Sequence, residues 1–162
     1  MKRIKTVLTF AALAAALLLS PFHSRDAAKL IPVQTLCICA DGTGYIVQTD
    51  TDLCGRGADP ALAFADLERT APGLPTFSTA RQIVVADDAM DRLPALAFLE
   101  LLHPGTEVYR SAAAVDAHDV TAFLNRHASG ISVSRLRASI LSGEPVALPA
   151  VEGKAGRYWI RA

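Results

Sequence analysis

The run Gln82-Ile83-Val84-Val85-Ala86 constrains the fold of this chain more than any other stretch. It is short, and its β-branched residues favour extended backbone over helix. A continuous apolar run without polar alternation is the pattern of a central strand buried on both faces. Such a strand needs neighbours beside it and cover above and below.

The flanking segments supply both. Leu30 to Ala40 is apolar with β-branched residues and reads as a strand. Asp41-Gly42-Thr43-Gly44 is turn chemistry, and Tyr45 to Thr49 reads as the return strand of a hairpin. Gly55 to Gly57 reads as a loop. Asp59-Pro60 is an N-cap followed by a first-turn proline, opening a helix that runs to Arg69. The stretch Ala71-Pro72-Gly73-Leu74-Pro75 stops it. After the central strand, Asp87 or Asp88 is expected to cap a helix over Ala89 to Leu102, with a break or late start at Pro94. Glu107 to Arg110 alternates as a strand does. Asp116 caps a helix through Arg126, and Ser132 or Ser134 caps another that ends before Gly143 and Pro145. Val146 to Val151 and Arg157 to Ile160 read as a last hairpin turning around residues 152–156. The order β-β-α-β-α-β-α-α-β-β implies an α/β (α+β) fold: a mixed sheet with helices packed on it, in a single domain.

The N-terminus carries a different kind of signal. Lys2, Arg3 and Lys5 precede an apolar run from Val7 to Leu19, the pattern of an export signal. It keeps the basic end in the cytoplasm and delivers Arg25 onward outside it. Residues 1–24 therefore read as a signal peptide or signal anchor, and residues 25–162 as an extracytoplasmic domain. Small residues before the cut are lacking around Leu18-Leu19-Ser20, and Pro21 disfavours cleavage there. The run is shorter than the ~20 residues that comfortably span a bilayer, but Phe22 and the basic stem bring it close. Both an uncleaved anchor and a cleaved signal stay open. No cysteine lies near Ser20, so no lipid anchor at a lipobox cysteine is expected.

Charge excludes some partners. The chain has 16 basic and 16 acidic residues. Setting aside Lys2, Arg3 and Lys5 leaves the exported part with 13 basic against 16 acidic, a net of −3. Nucleic acid is not an expected partner, because it needs a basic face. Contact with the membrane is expected through the N-terminal segment.

Candidate chemistry is sparse. Cys37 and Cys39 sit two apart on a strand and share a face, a poor geometry for a mutual disulfide. Cys54 could bridge to one of them, or all three could act as small hydrophobes. A zinc site needs about four ligands in paired spacing, which this pattern lacks. Asp116-Ala117-His118-Asp119 places an imidazole between carboxylates, either as a base with an orienting acid or as an acidic helix start. His103 and His127 end helices. No serine lies in a G-x-S-x-G elbow. Asp50, Asp52 and Asp59 could gather calcium, although the spacing is not that of an EF-hand, and solvated loop acids are the simpler reading. No catalytic, cofactor-binding or metal-ligating residue is assigned from these patterns, and no cofactor is expected.

Several stretches together resemble the N-terminal domain of the Ger(x)C family, exported receptor subunits of spore germination. Ser24-Arg25-Asp26-Ala27-Ala28-Lys29-Leu30 precedes Leu36-Cys37-Ile38-Cys39-Ala40-Asp41, similar to the family's opening stretch and its strand ending in Gly-Ile-Asp. Gly57 to Ala63 keeps the glycine and closing alanine of its Gly-x-Thr-x-x-x-Ala helix. Gln82 to Ala86, Leu96 to Glu100, Glu107 to Tyr109 and Val120 to Leu124 follow in the order strand, helix, strand, helix. The resemblance spans roughly Arg25 to Leu124. This chain departs from the pattern at the missing lipobox cysteine, at Phe77-Ser78-Thr79-Ala80, and in stopping after one domain. The resemblance implies a non-enzymatic, membrane-associated protein whose partners are membrane receptor subunits. The competing expectations are an exported module binding a small ligand or the cell wall, and a small secreted hydrolase using His118 or His127.

Overall fold

The computed structural model of the chain describes residues 29–154 and 157–161. The N-terminal signal or anchor segment, most of the Ser24–Leu30 stretch and the tip of the last hairpin lie outside the described residues. No helix among the described residues is long and apolar enough to cross a membrane.

The central run forms a strand over Gln82–Ala86 with all five residues buried. It is one of four strands that run parallel to one another. In chain order they are β2 (Thr35–Asp41), β6 (Gln82–Ala86), β7 (Glu107–Ser111) and β9 (Ala150–Lys154). Antiparallel strands finish both sides: β3 (Gly44–Thr49) and β4 (Cys54–Gly57) beyond β2, and β10 (Arg157–Arg161) beyond β9. The spatial order is β10-β9-β7-β6-β2-β3-β4, with a two-residue β8 (Ile131–Ser132) pairing the start of β7.

Four helices cover this sheet unequally. α1 (Pro60–Thr70), α2 (Leu93–Ala97) and α4 (Val133–Ser142) bury Ala63, Phe64, Leu67, Leu96, Ala97, Val133 and Leu136 against one face, beside Leu36, Ile38, Ile83, Val85 and Val108. α3 (Ala117–Leu124) alone covers the other face, packing Ala117, Val120 and Leu124 on Cys37, Val84, Tyr109 and Val151. Three of the caps the sequence signals are formed. Asp59 accepts from Leu62 N at 2.9 Å, with Pro60 in the first turn; Asp116 accepts from Asp119 N at 3.0 Å; Ser132 accepts from Arg135 N at 3.3 Å. α4 ends at Gly143 in the left-handed region, φ +73, the backbone state glycine adopts most readily.

The structure corrects the sequence reading in five places. The strand expected over Leu30 to Ala40 is two. β1 (Leu30–Pro32) breaks away because Pro32 has no N–H to donate, and it pairs in parallel with β5 (Leu74–Thr76), inside the stretch read only as a stop. Gly55-Arg56-Gly57 is not a loop but the core of β4. A Cβ at Gly55 would collide with Ala63 and Leu67, and one at Gly57 with Leu62 and Ala63, so the glycines let α1 lie directly on the strand. The helix expected over Ala89 to Leu102 shrinks to α2, entered through a 3-10 stretch over Asp87–Arg92 with Pro94 in the first turn. Asp88 caps no helix; its carboxylate accepts from Ala40 N at 3.0 Å. The last hairpin starts later than Val146, with β9 running from Ala150 to Lys154. One domain results, with its main core under α1, α2 and α4.

Candidate functional site

In an open α/β sheet, ligands settle outside the carboxyl ends of the strands where neighbouring connections leave toward opposite faces. This sheet has one such point. The chain leaving β6 turns through Asp87–Arg92 into α2 on the three-helix face, whereas the chain leaving β7 passes through residues 112–116 into α3 on the other. The Ser111–Val115 segment therefore projects between two clefts. One is lined by Cys37, Cys39, Gln48, Val84, Ala86 and Ala113, and is small, about 20 Å³. The other lies between that segment, Glu152, Gly153 and Trp159.

The walls offer little for chemistry. Ser111 Oγ is spent on the Ala113 carbonyl at 2.6 Å, tightening the turn. Cys37 is buried, and burial, then the nearby Asp116 carboxylate, pushes its thiol far above the ordinary range. Burial and Asp88 push the Cys39 thiol up as well. A thiol so placed is neutral and a poor nucleophile. All three cysteines are free. Cys37 pairs with Gln48 and Gln48 with Cys54, so an entire strand stands between the two thiols. Two strand spacings are about 10 Å, beyond disulfide reach. Cys37 packs as a small hydrophobe in the α3 core, and Cys54 is exposed on β4.

The remaining candidates are held apart in structural bonds. His118 Nδ1 lies 3.2 Å from the Asp50 carbonyl oxygen rather than on Asp116 or Asp119. His127 Nδ1 lies 3.0 Å from the Phe123 carbonyl oxygen, and its ring stacks on Phe123 with centroids 4.5 Å apart. His103 Nδ1 accepts from Gly105 N at 3.0 Å. Asp50 accepts from Gln34 N and Thr35 N at 2.9 and 3.1 Å, clamping the join between β1 and β2. Asp59 is the α1 cap, and Asp52 sits in the left-handed region with φ 61. The Asp50 and Asp59 carboxylates thus do separate work. Among the described residues no group of three or more His, Cys, Asp or Glu side chains could hold a metal ion.

Two polar centres escaped the sequence reading. Tyr109 is fully buried; its hydroxyl donates to Glu107 Oε2 at 2.6 Å and accepts from Ser129 N and Gly130 N at 3.0 and 2.9 Å. Burial, and then the bond to Glu107, pushes this hydroxyl up to about 12. Gln82, also buried, accepts from Thr35 Oγ1 at 3.1 Å and donates to Asn125 Oδ1 at 3.2 Å; Asn125 donates on to Gln34. These bonds fasten both sides of α3's C-terminal end to the sheet. The Glu107–Tyr109 spacing of two, which puts both side chains on one face, was the only local hint.

The two edges of the sheet present the remaining surface. At β4 the Arg56 N–H donates to Asp66 Oδ2 of α1 at 3.0 Å, and the helix lies over the strand. At β10 no described strand pairs with the outer side. There Trp159 is 43% exposed, its Nε1 donating to Glu152 at 2.9 Å, and Arg157 and Arg161 are exposed on either side of it. Comparison with protein-family models, with curated proteins and with solved structures finds no match for this chain.

Proposed function

We propose that this chain is a non-enzymatic extracytoplasmic protein, held at the cell membrane by its N-terminal segment and acting by protein–protein contact. In this reading it resembles a spore germination receptor subunit and works beside membrane receptor subunits. The observation that carries it is the order of elements. β2, α1, β6, β7 and α3 fall on the stretches through which the resemblance to the Ger(x)C N-terminal domain runs, and α2 reaches the first two residues of Leu96–Glu100. The engagement of His103, His118 and His127 in bonds to backbone groups further supports contact over chemistry.

The test is the mature N-terminus and cell fraction of the native protein, combined with cross-linking of the full chain in membranes. The reading expects intact Met1 in the membrane fraction and cross-links to integral-membrane subunits. Soluble protein cut near Ser24, without such cross-links, contradicts it. The two clefts on either side of the Ser111–Val115 segment favour one second reading, an exported module for a small ligand or cell-wall fragment. That reading expects Ala113→Phe, which crowds both clefts, to abolish ligand capture while leaving the fold intact.

A further inference from the structure

We propose that the outer edge of β10 receives an extended acidic segment of a partner protein as an added antiparallel strand, with two acidic residues four apart. This deepens the contact reading above and rests on it. An edge strand turns a row of N–H and C=O groups outward, and only another polypeptide backbone satisfies such a row along its length. Most edges are blunted, as β4 is here by Asp66 and α1. β10 has no described partner on its outer side.

Its side chains then state what the added strand must carry. Arg157, Trp159 and Arg161 alternate along one face of β10, while Tyr158 and Ile160 turn to the other. The basic character of the first face continues inward. Arg161 pairs with Ala150, and Ala150 with Arg110, so two exposed arginines flank a small residue in one row across three strands. Among the described residues Arg110 and Arg157 make no salt bridge, and Arg161 has only Glu152 at 3.7 Å. This concentration stands out in an exported part of net charge −3. On the opposite face Phe123, Tyr158 and Ile160 line an open hollow, with the Phe123 and Tyr158 rings 6.0 Å apart. A strand laid beside β10 thus meets an arginine, an indole and an arginine on one side and apolar groups on the other. The complement is acidic–apolar–polar–apolar–acidic, with carboxylates opposite Arg157 and Arg161 and apolar residues beside Tyr158 and Ile160.

A second copy of this chain fits poorly. Antiparallel pairing of β10 with itself about Trp159 sets Arg157 opposite Arg161 twice, and like charges directly opposite repel. An anionic membrane or polymer matches the arginines but offers no backbone to the edge.

The probe is a synthetic peptide containing Glu-Val-Thr-Val-Glu, titrated into the full chain in mild detergent and followed by Trp159 emission. Three controls accompany it: the same peptide N-methylated at alternate residues, the lysine counterpart Lys-Val-Thr-Val-Lys, and the variant Arg157→Glu/Arg161→Glu. The proposal expects saturable binding of the glutamate peptide that N-methylation abolishes. It also expects about tenfold weaker binding to the double variant, together with a gain for the lysine peptide. Absence of binding, binding that survives N-methylation, anionic vesicles that displace the peptide, or concentration-dependent dimers lost in the double variant would each overturn it. Cross-links to membrane subunits that persist in the double variant would overturn this surface while leaving the contact reading intact.

Discussion

The two edges of the sheet are built from similar lengths of antiparallel strand and finished in opposite ways. β4 carries Gly55 and Gly57, which let α1 come down onto it, and Asp66 of that helix takes up the Arg56 N–H. β10 carries Arg157, Trp159 and Arg161 and has no described strand beyond it. The lesson lies in side-chain size. Glycine invites a helix to seal an edge, whereas long charged and aromatic side chains hold neighbours off and leave the backbone available to a strand that matches them.

The sharpest way to break the comparison is to unseal β4. Gly57→Val drives a side chain into Leu62 and Ala63 and should cost about 3 kcal/mol or more, read as a lower urea midpoint. The unsealed edge should also self-associate, which sedimentation would detect. Leu67→Ala removes the α1 anchor without touching the strand and is expected to cost about 3 kcal/mol.

The half of the sheet behind β10 rests on Tyr109. Tyr109→Phe leaves the Ser129 and Gly130 N–H groups and Glu107 without their partner, a loss of about 1–2 kcal/mol. The hydroxyl keeps its proton to about 12 in the folded chain but to about 10 when unfolded. Above pH 10 the unfolded state therefore loses a proton the folded state retains. Stability should fall between pH 10 and 12, with the raised Cys37 and Cys39 thiols adding to the fall, and Tyr109→Phe should make it shallower.

The β4 seal should show the opposite dependence. The Arg56 N–H, followed by the Arg69 side chain, holds the Asp66 carboxyl below its ordinary 3.8. Its contribution is present above that value and disappears as pH falls through the lower, folded one. Asp66→Asn should leave stability nearly unchanged in strong acid and reduce it near neutrality, as acid titrations of both proteins would show. The smallest effect belongs to the open edge: Arg157→Glu/Arg161→Glu should shift stability by no more than about 0.5 kcal/mol, since both side chains reach into solvent.

What the sequence made legible was local. Asp59, Asp116 and Ser132 cap their helices because a side chain reaching a backbone N–H three residues on needs nothing else. The buried strand at Gln82–Ala86 follows from an unbroken apolar run. The misreadings share the opposite cause. Gly55-Arg56-Gly57 looks like a loop until α1 arrives, and Leu74-Pro75-Thr76 looks like a stop until β1 lies beside it. The alternation of Arg157, Trp159 and Arg161 reads as a strand, yet its standing at an edge depends on strand order, which is set by the whole sheet. The clefts beside the Ser111–Val115 segment are likewise invisible locally, because each forms only when that segment lies beside strands distant in the chain.

The most direct test is amide hydrogen exchange of the full chain with and without the Glu-Val-Thr-Val-Glu peptide. The account predicts that the peptide slows exchange within Arg157–Arg161 and leaves Cys54–Gly57 unchanged. Protection that appears at Cys54–Gly57, or nowhere along β10, would contradict it.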